Sequence, residues 1–111
     1  QCFIESVSSL DGKGANIHRL LTAAVGISAE GGEFMEIVKK VIFQGKPWND
    51  DNREHLVIEL GDVCWYVMQA CAALNVTLDE VIEGNVNKLK KRYPGGDFDV
   101  HYSENRAADD R

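Results

Sequence analysis

The chain has 111 residues, 44% of them hydrophobic, enough for one compact domain with a modest core and too few for a second. A formal net charge of −6 and a pI ≈ 4.9, with no Lys/Arg stripe except near Lys88 to Arg92, argue against polymeric nucleic acid as a partner. Three cysteines without CxxC spacing fit small core residues in a reducing compartment. Residues 1–10 lack a basic-then-apolar leader and no apolar run approaches membrane-spanning length, so the expectation is a cytoplasmic protein with no membrane contact.

Residues 1–16 are short and mixed, with Asp11, Gly12 and Gly14 marking a turn, and read as an irregular or weakly extended lead-in. From Ile17 to about Phe43, apolar residues recur at threes and fours, the spacing of a helix. Gly31 and Gly32 fall inside this run at roughly 1 kcal/mol each relative to Ala, so either the helix is interrupted there or a close backbone approach compensates. Gly45 and Pro47 end it, one by a left-handed cap and the other by its missing N–H.

A polar loop from Trp48 to Arg53 leads into a helix from Leu56 to Leu74 that is apolar almost all round, as a buried helix is. Leu56, Leu60, Val63, Val67, Ala70 and Leu74 line one side, while a single polar strip carries Glu59, Asp62, Tyr66 and Gln69. Thr77 and Glu80 spell a capping box for a third helix, Leu78 to Tyr93, whose core stripe is Leu78, Ile82, Val86, Leu89 and Tyr93. Pro94-Gly95-Gly96 stops it, and 95–111 reads as a polar tail or an arm reaching a neighbour. The expected fold class is all-α, antiparallel helices forming a bundle; the helix from Leu56 to Leu74 carries more apolar surface than two partner helices can cover, so oligomerisation is expected to complete it. The domain spans 17–94.

Residues three apart share a helix face, so Glu30 with Glu33, and Glu59 with Asp62, are two pairs of hard oxygen ligands. Antiparallel packing of their helices lets the pairs face each other. Mutual repulsion of four converging carboxylates would rival the stability of a small domain. Hence either they do not converge, or some are protonated, or a divalent cation neutralises them. Mg²⁺ is the natural ion, with Mn²⁺ a substitute, since it divides its shell between carboxylates, waters and substrate phosphates. The plain alternative for either pair is a solvated helix face.

Asn85, Lys88 and Arg92 share one margin of the third helix, either as exposed residues pairing with nearby acids or as a polyphosphate clamp. Tyr66, one turn beyond Asp62, is either core or a ring that stacks on a base. His18, His55 and His101 form no H-x-x-x-H or Glu-x-x-His motif, which argues against zinc hydrolysis and di-iron bundles. No Walker loop is present, and no Ser or Cys has a partner His at a recognisable signature.

Four segments in order, Gly26-Ile27-Ser28-Ala29-Glu30-Gly31-Gly32-Glu33-Phe34, Phe43-Gln44-Gly45-Lys46-Pro47, Glu59-Leu60-Gly61-Asp62-Val63-Cys64-Trp65-Tyr66 and Asn85-Val86-Asn87-Lys88-Leu89-Lys90-Lys91-Arg92-Tyr93-Pro94, carry a resemblance. The stretch from His18 to Pro94 resembles the MazG-like nucleotide pyrophosphohydrolases of the all-α NTP pyrophosphatase superfamily. The resemblance implies a helical dimer or tetramer and Mg²⁺-dependent cleavage of nucleoside triphosphates to monophosphate and pyrophosphate. It also implies that Glu30, Glu33, Glu59 and Asp62 are metal ligands, that Asn85, Lys88 and Arg92 are the cationic and amide positions, and that Tyr66 matches a base-pocket position of some relatives. Where the family often has Ala, this chain has Gly31, a change that loosens the helix without touching ligation.

The expected function is therefore a nucleotide-pool, house-cleaning hydrolase of (d)NTPs, with Glu33 as the base because it lies further from its apolar stripe than Glu30. Lys88 and Arg92 would stabilise the leaving pyrophosphate. Alternatives are dUTP or phosphoribosyl-ATP hydrolysis on the same scaffold, a non-catalytic helical dimerisation module, and a metal sensor. The expected partners are the nucleotide and a second copy of the chain, as a homodimer or homotetramer.

Overall fold

A computed structural model describes residues 2–94 and gives four α-helices in chain order: α1 (Phe3–Asp11), α2 (Ile17–Phe43), α3 (Asp50–Leu74) and α4 (Leu78–Arg92). No strand occurs among the described residues. Helices α1 to α3 belong to one compact unit, residues 1–75, and α4 to a second, residues 76–111. The tail expected over 95–111 lies outside the described residues.

The lead-in is helical rather than irregular, which corrects the reading of residues 1–16. The mixed composition hid one useful pair: Phe3 and Val7, one turn apart, border a small apolar cleft with Ile17 and Leu21 of α2. After Gly12 and Gly14, the latter at φ 85, the chain reaches Asn16. Its side-chain oxygen accepts the Arg19 N–H at 3.2 Å and starts α2.

Helix α2 runs unbroken through Gly31 and Gly32, and nothing beyond the adjoining residues and backbone of the helix itself lies within 4 Å of where either Cβ would stand. Neither an interruption nor a close approach excuses the two glycines, so the helix carries their entropic cost of about 1 kcal/mol each. Its end is as expected: the N–H groups of Gln44 and Lys46 both reach the Lys40 carbonyl, at 3.0 and 3.1 Å, and Gly45 takes φ 71.

Helix α3 starts at Asp50, ahead of its apolar run, because Asn49 caps the Asn52 N–H at 2.9 Å and two acids, Asp50 and Asp51, occupy the positive first turn. Asn75 closes it in the left-handed region at φ 57. Within the second unit, α4 opens with the expected capping box, Thr77 and Glu80 exchanging side-chain and backbone contacts, and carries Lys90, Lys91 and Arg92 at its negative end.

Helices α2 and α3 pack along one another in opposite directions, since Arg19 meets Gln69, Gly26 meets Tyr66 and Glu30 meets Glu59. The face of α3 that meets α2 is thus its polar strip. Much of the apolar remainder turns outward, although Cys71 is buried and Leu56, Val63, Val67 and Ala70 are half-buried, and the burial expected of α3 is not reached within one chain. Ile58, Leu60, Trp65 and Leu74 are each more than half exposed, at 54%, 52%, 62% and 60%. Likewise α4 has no buried residue, and Leu78, Ile82, Val86 and Leu89 of its expected core stripe are exposed. Among the described residues, the buried apolar side chains are few: Ala23, Ile37 and Cys71.

The expectation that no run reaches membrane-spanning length also needs correcting. By length and composition α3 is long and apolar enough to cross a membrane. Its middle nonetheless carries Glu59 and Asp62, and a charged side chain near a bilayer centre is costly.

Candidate metal and active site

Three of the four acids expected to be ligands converge. Glu30 and Glu33 project from successive turns of α2, Glu59 comes from α3, and one carboxylate oxygen from each lies within 4.8 Å of the other two. Glu59 is buried, Glu30 half-buried and Glu33 exposed. The fourth, Asp62, one turn along α3, is exposed and outside that group, although its charge acts on both Glu30 and Glu59.

Burial leaves Oε2 of Glu30 and Oε2 of Glu59 without a hydrogen-bond partner. Buried carboxylate oxygens in that condition are unstable unless a proton or a cation meets them. In the metal-free protein the proton serves: a hydrogen bond with Glu59, then partial burial and the negative charge of Glu33, push Glu30 up from 4.5 to about 7. Glu59 is raised as well, first by burial and then by Glu33. A divalent cation is the other remedy. Hard oxygens from three carboxylates, two of them with unpartnered buried atoms, fit an ion such as Mg²⁺ that takes oxygen donors.

Tyr66, one turn beyond Asp62, lies over the backbone of Gly26 so closely that a methyl group there would overlap its ring. Gly26 therefore sets how near α3 comes to α2 beside the acids. Gly26→Ala is expected to cost about 1–3 kcal/mol through overpacking, read as a lower Tm, with partial recovery when Tyr66→Ala is added. Recovery is the coupling that distinguishes contact from a general loss of stability.

In the second unit, Asn85, Lys88 and Arg92 lie along one side of α4, the amide exposed and the two cations half-buried. Two contacts escaped the sequence reading. Arg19 Nε donates to Gln69 Oε1 at 3.0 Å, continuing the polar strip of α3 toward the start of α2. His55 places Nε2 at 3.4 Å from Oε1 of Glu59. The available signal for the second was its position four residues before Glu59 on the same helix, which a search for His pairs passes over.

The family description "MazG nucleotide pyrophosphohydrolase domain" matches residues 19–96. The chain is also 38% identical over 82 residues to the Gene 37 protein of Mycobacterium phage L5, an alignment that covers 73% of this chain and 72% of that protein. No solved structure is a significant match. The converging acids of two antiparallel helices lie within the matched segment, and the chain belongs to the MazG nucleotide pyrophosphohydrolase family.

Proposed function

We propose that the protein is a Mg²⁺-dependent pyrophosphohydrolase that converts (d)NTPs to (d)NMPs and pyrophosphate. The observation that carries this reading is the pair of buried, unpartnered oxygens of Glu30 and Glu59 with Glu33 close by, a site that is costly to fold and useful for holding a cation. Glu30, Glu33 and Glu59 hold the ion, and Asp62 adds charge at the rim. Bound there, Mg²⁺ would supply Lewis-acid polarisation of phosphate oxygens and a more acidic water.

Glu33, the exposed member of the three, accepts a proton from the attacking water, since it alone combines proximity to the cluster with access to solvent. Asn85, Lys88 and Arg92 bind phosphate oxygens, and the two cations offset charge on departing pyrophosphate. Tyr66 borders the base.

The same reading accounts for the outward apolar faces. Leu21, Val25 and Met35 of α2, with Ile58, Leu60 and Trp65 of α3, are exposed in one chain. Their burial against a second copy, as a homodimer or homotetramer in a reducing cytoplasm, removes from water the surface that makes α3 resemble a membrane span. Light scattering during size-exclusion chromatography should give at least twice the mass of one chain.

The deciding experiment is product chromatography after incubation of the purified protein with each canonical (d)NTP, with Mg²⁺ and with EDTA. Monophosphate plus pyrophosphate, lost in EDTA, is the expected result. Diphosphate plus free phosphate contradicts the cleavage position.

A further inference from the structure

Helix geometry sets His55 one turn before Glu59 on α3, with Nε2 of the imidazole 3.4 Å from Oε1 of the carboxylate. The two oxygens of Glu59 have different surroundings. Oε1 has the imidazole beside it, whereas Oε2 is buried with no partner in the acidic cluster. Glu59 itself is 9% exposed, and the His55 side chain, 49% exposed, reaches it from the solvent side.

We propose that His55 is a positioning residue for Glu59, its imidazole N–H engaging Oε1 so that Oε2 is presented to the divalent cation. A carboxylate on a helix turns readily about its last torsion, which has broad wells. A ligand that must be oriented during binding loses affinity to that freedom. Partners behind a ligating group fix its orientation, and their loss typically costs 10–100-fold in metal affinity. The inference rests on reading the three acids as a cation site and adds a residue outside them. It requires only a proton on Nε2, which both the neutral imidazole in that tautomer and the imidazolium provide.

The test is calorimetric titration of Mn²⁺ into the full chain without nucleotide, for the original protein and for His55→Ala, His55→Gln and Glu59→Gln. With His55 half in solvent, the low end of the range applies, and His55→Ala should bind Mn²⁺ about tenfold more weakly at an unchanged metal-free Tm. His55→Gln, whose amide N–H can replace the ring N–H, should recover most of that loss. Should His55→Ala bind as the original does while Glu59→Gln fails to bind, the positioning role is overturned and the cation site stands. Should His55→Gln bind as weakly as His55→Ala, the imidazole is doing more than donating a hydrogen bond, and the positioning role is again overturned. Normal Mn²⁺ binding by Glu59→Gln would remove the cation site and this inference together.

Discussion

Glu59→Gln is expected to abolish divalent-cation binding and to lower nucleotide hydrolysis on the order of 10³-fold, while the metal-free protein melts at a higher temperature. The two effects have one origin. Glu59 is buried between α2 and α3, its carboxyl is raised by that burial, and its Oε2 has no partner. Gln keeps the shape, removes the charge that burial disfavours and can donate to the oxygens of Glu30 and Glu33. What folding gains, the cation loses, since a neutral amide is a poor hard-oxygen ligand in place of a carboxylate. The trade is the expected signature of a functional group retained against stability.

Asp62→Ala provides the contrast. Its side chain is exposed and outside the 4.8 Å cluster, so its removal relieves less repulsion and the metal-free Tm should rise less. Turnover should still fall, because the charge of Asp62 acts on both Glu30 and Glu59 and adds to the negative rim that attracts the ion. Melting curves in EDTA and initial rates with Mg²⁺ measure both halves. A Glu59→Gln protein that hydrolyses (d)NTPs at the original rate would end the assignment of this cluster as the catalytic centre.

The bounds of α2, the capping box of α4 and the sharing of one helix face by Glu30 and Glu33 were legible in the sequence, because each depends on local rules: apolar spacing, a Thr-x-x-Glu signature and the turn of a helix. The orientation of α3 was not. With apolar residues on almost every side, its periodicity favours no face, and the strip that meets α2 is the polar one. Ordinary burial logic sends Glu59 outward and Leu60 inward. The structure shows the reverse, with Glu59 9% exposed and Leu60 52%. The proposed cation and second copy of the chain would account for that reversal, one for the carboxylates and the other for the leucine. Helix α1 was missed for a different reason: Phe3, Ile4, Val7 and Leu10 do fall at helical spacing, but over only nine residues beside a Gly-rich turn that signal was passed over, and the cleft it forms with Ile17 and Leu21 is tertiary. The Gly26 and Tyr66 contact was equally hidden, since nothing along α2 says which glycine faces a ring.

The metal-free protein should be more stable at pH 5.5 than at pH 8, and saturating Mg²⁺ should reduce or invert that trend. Glu30 has a folded pKa of about 7 against 4.5 for an ordinary glutamate, so between those values the folded chain holds a proton that the unfolded chain has released. Stability therefore falls as pH rises across this window: the contribution is complete below about 4.5 and is lost as pH passes through 7. Glu59, raised in the same direction, adds to the slope. Cation binding needs the same oxygens ionised, so each bound ion displaces a proton at acid pH, and affinity should weaken about tenfold per pH unit below 7. The protein and a bound ion would thus prefer opposite ends of the range, and by mass action a saturating ion should win at neutral pH, where its binding would stabilise only the folded chain. Melting curves from pH 5 to 8 in EDTA, repeated at a fixed excess of Mg²⁺, separate the two contributions. A metal-free Tm that climbs between pH 5.5 and 8, or a Mg²⁺ affinity indifferent to pH, would mean that Glu30 and Glu59 do not share a proton where the cation is meant to sit.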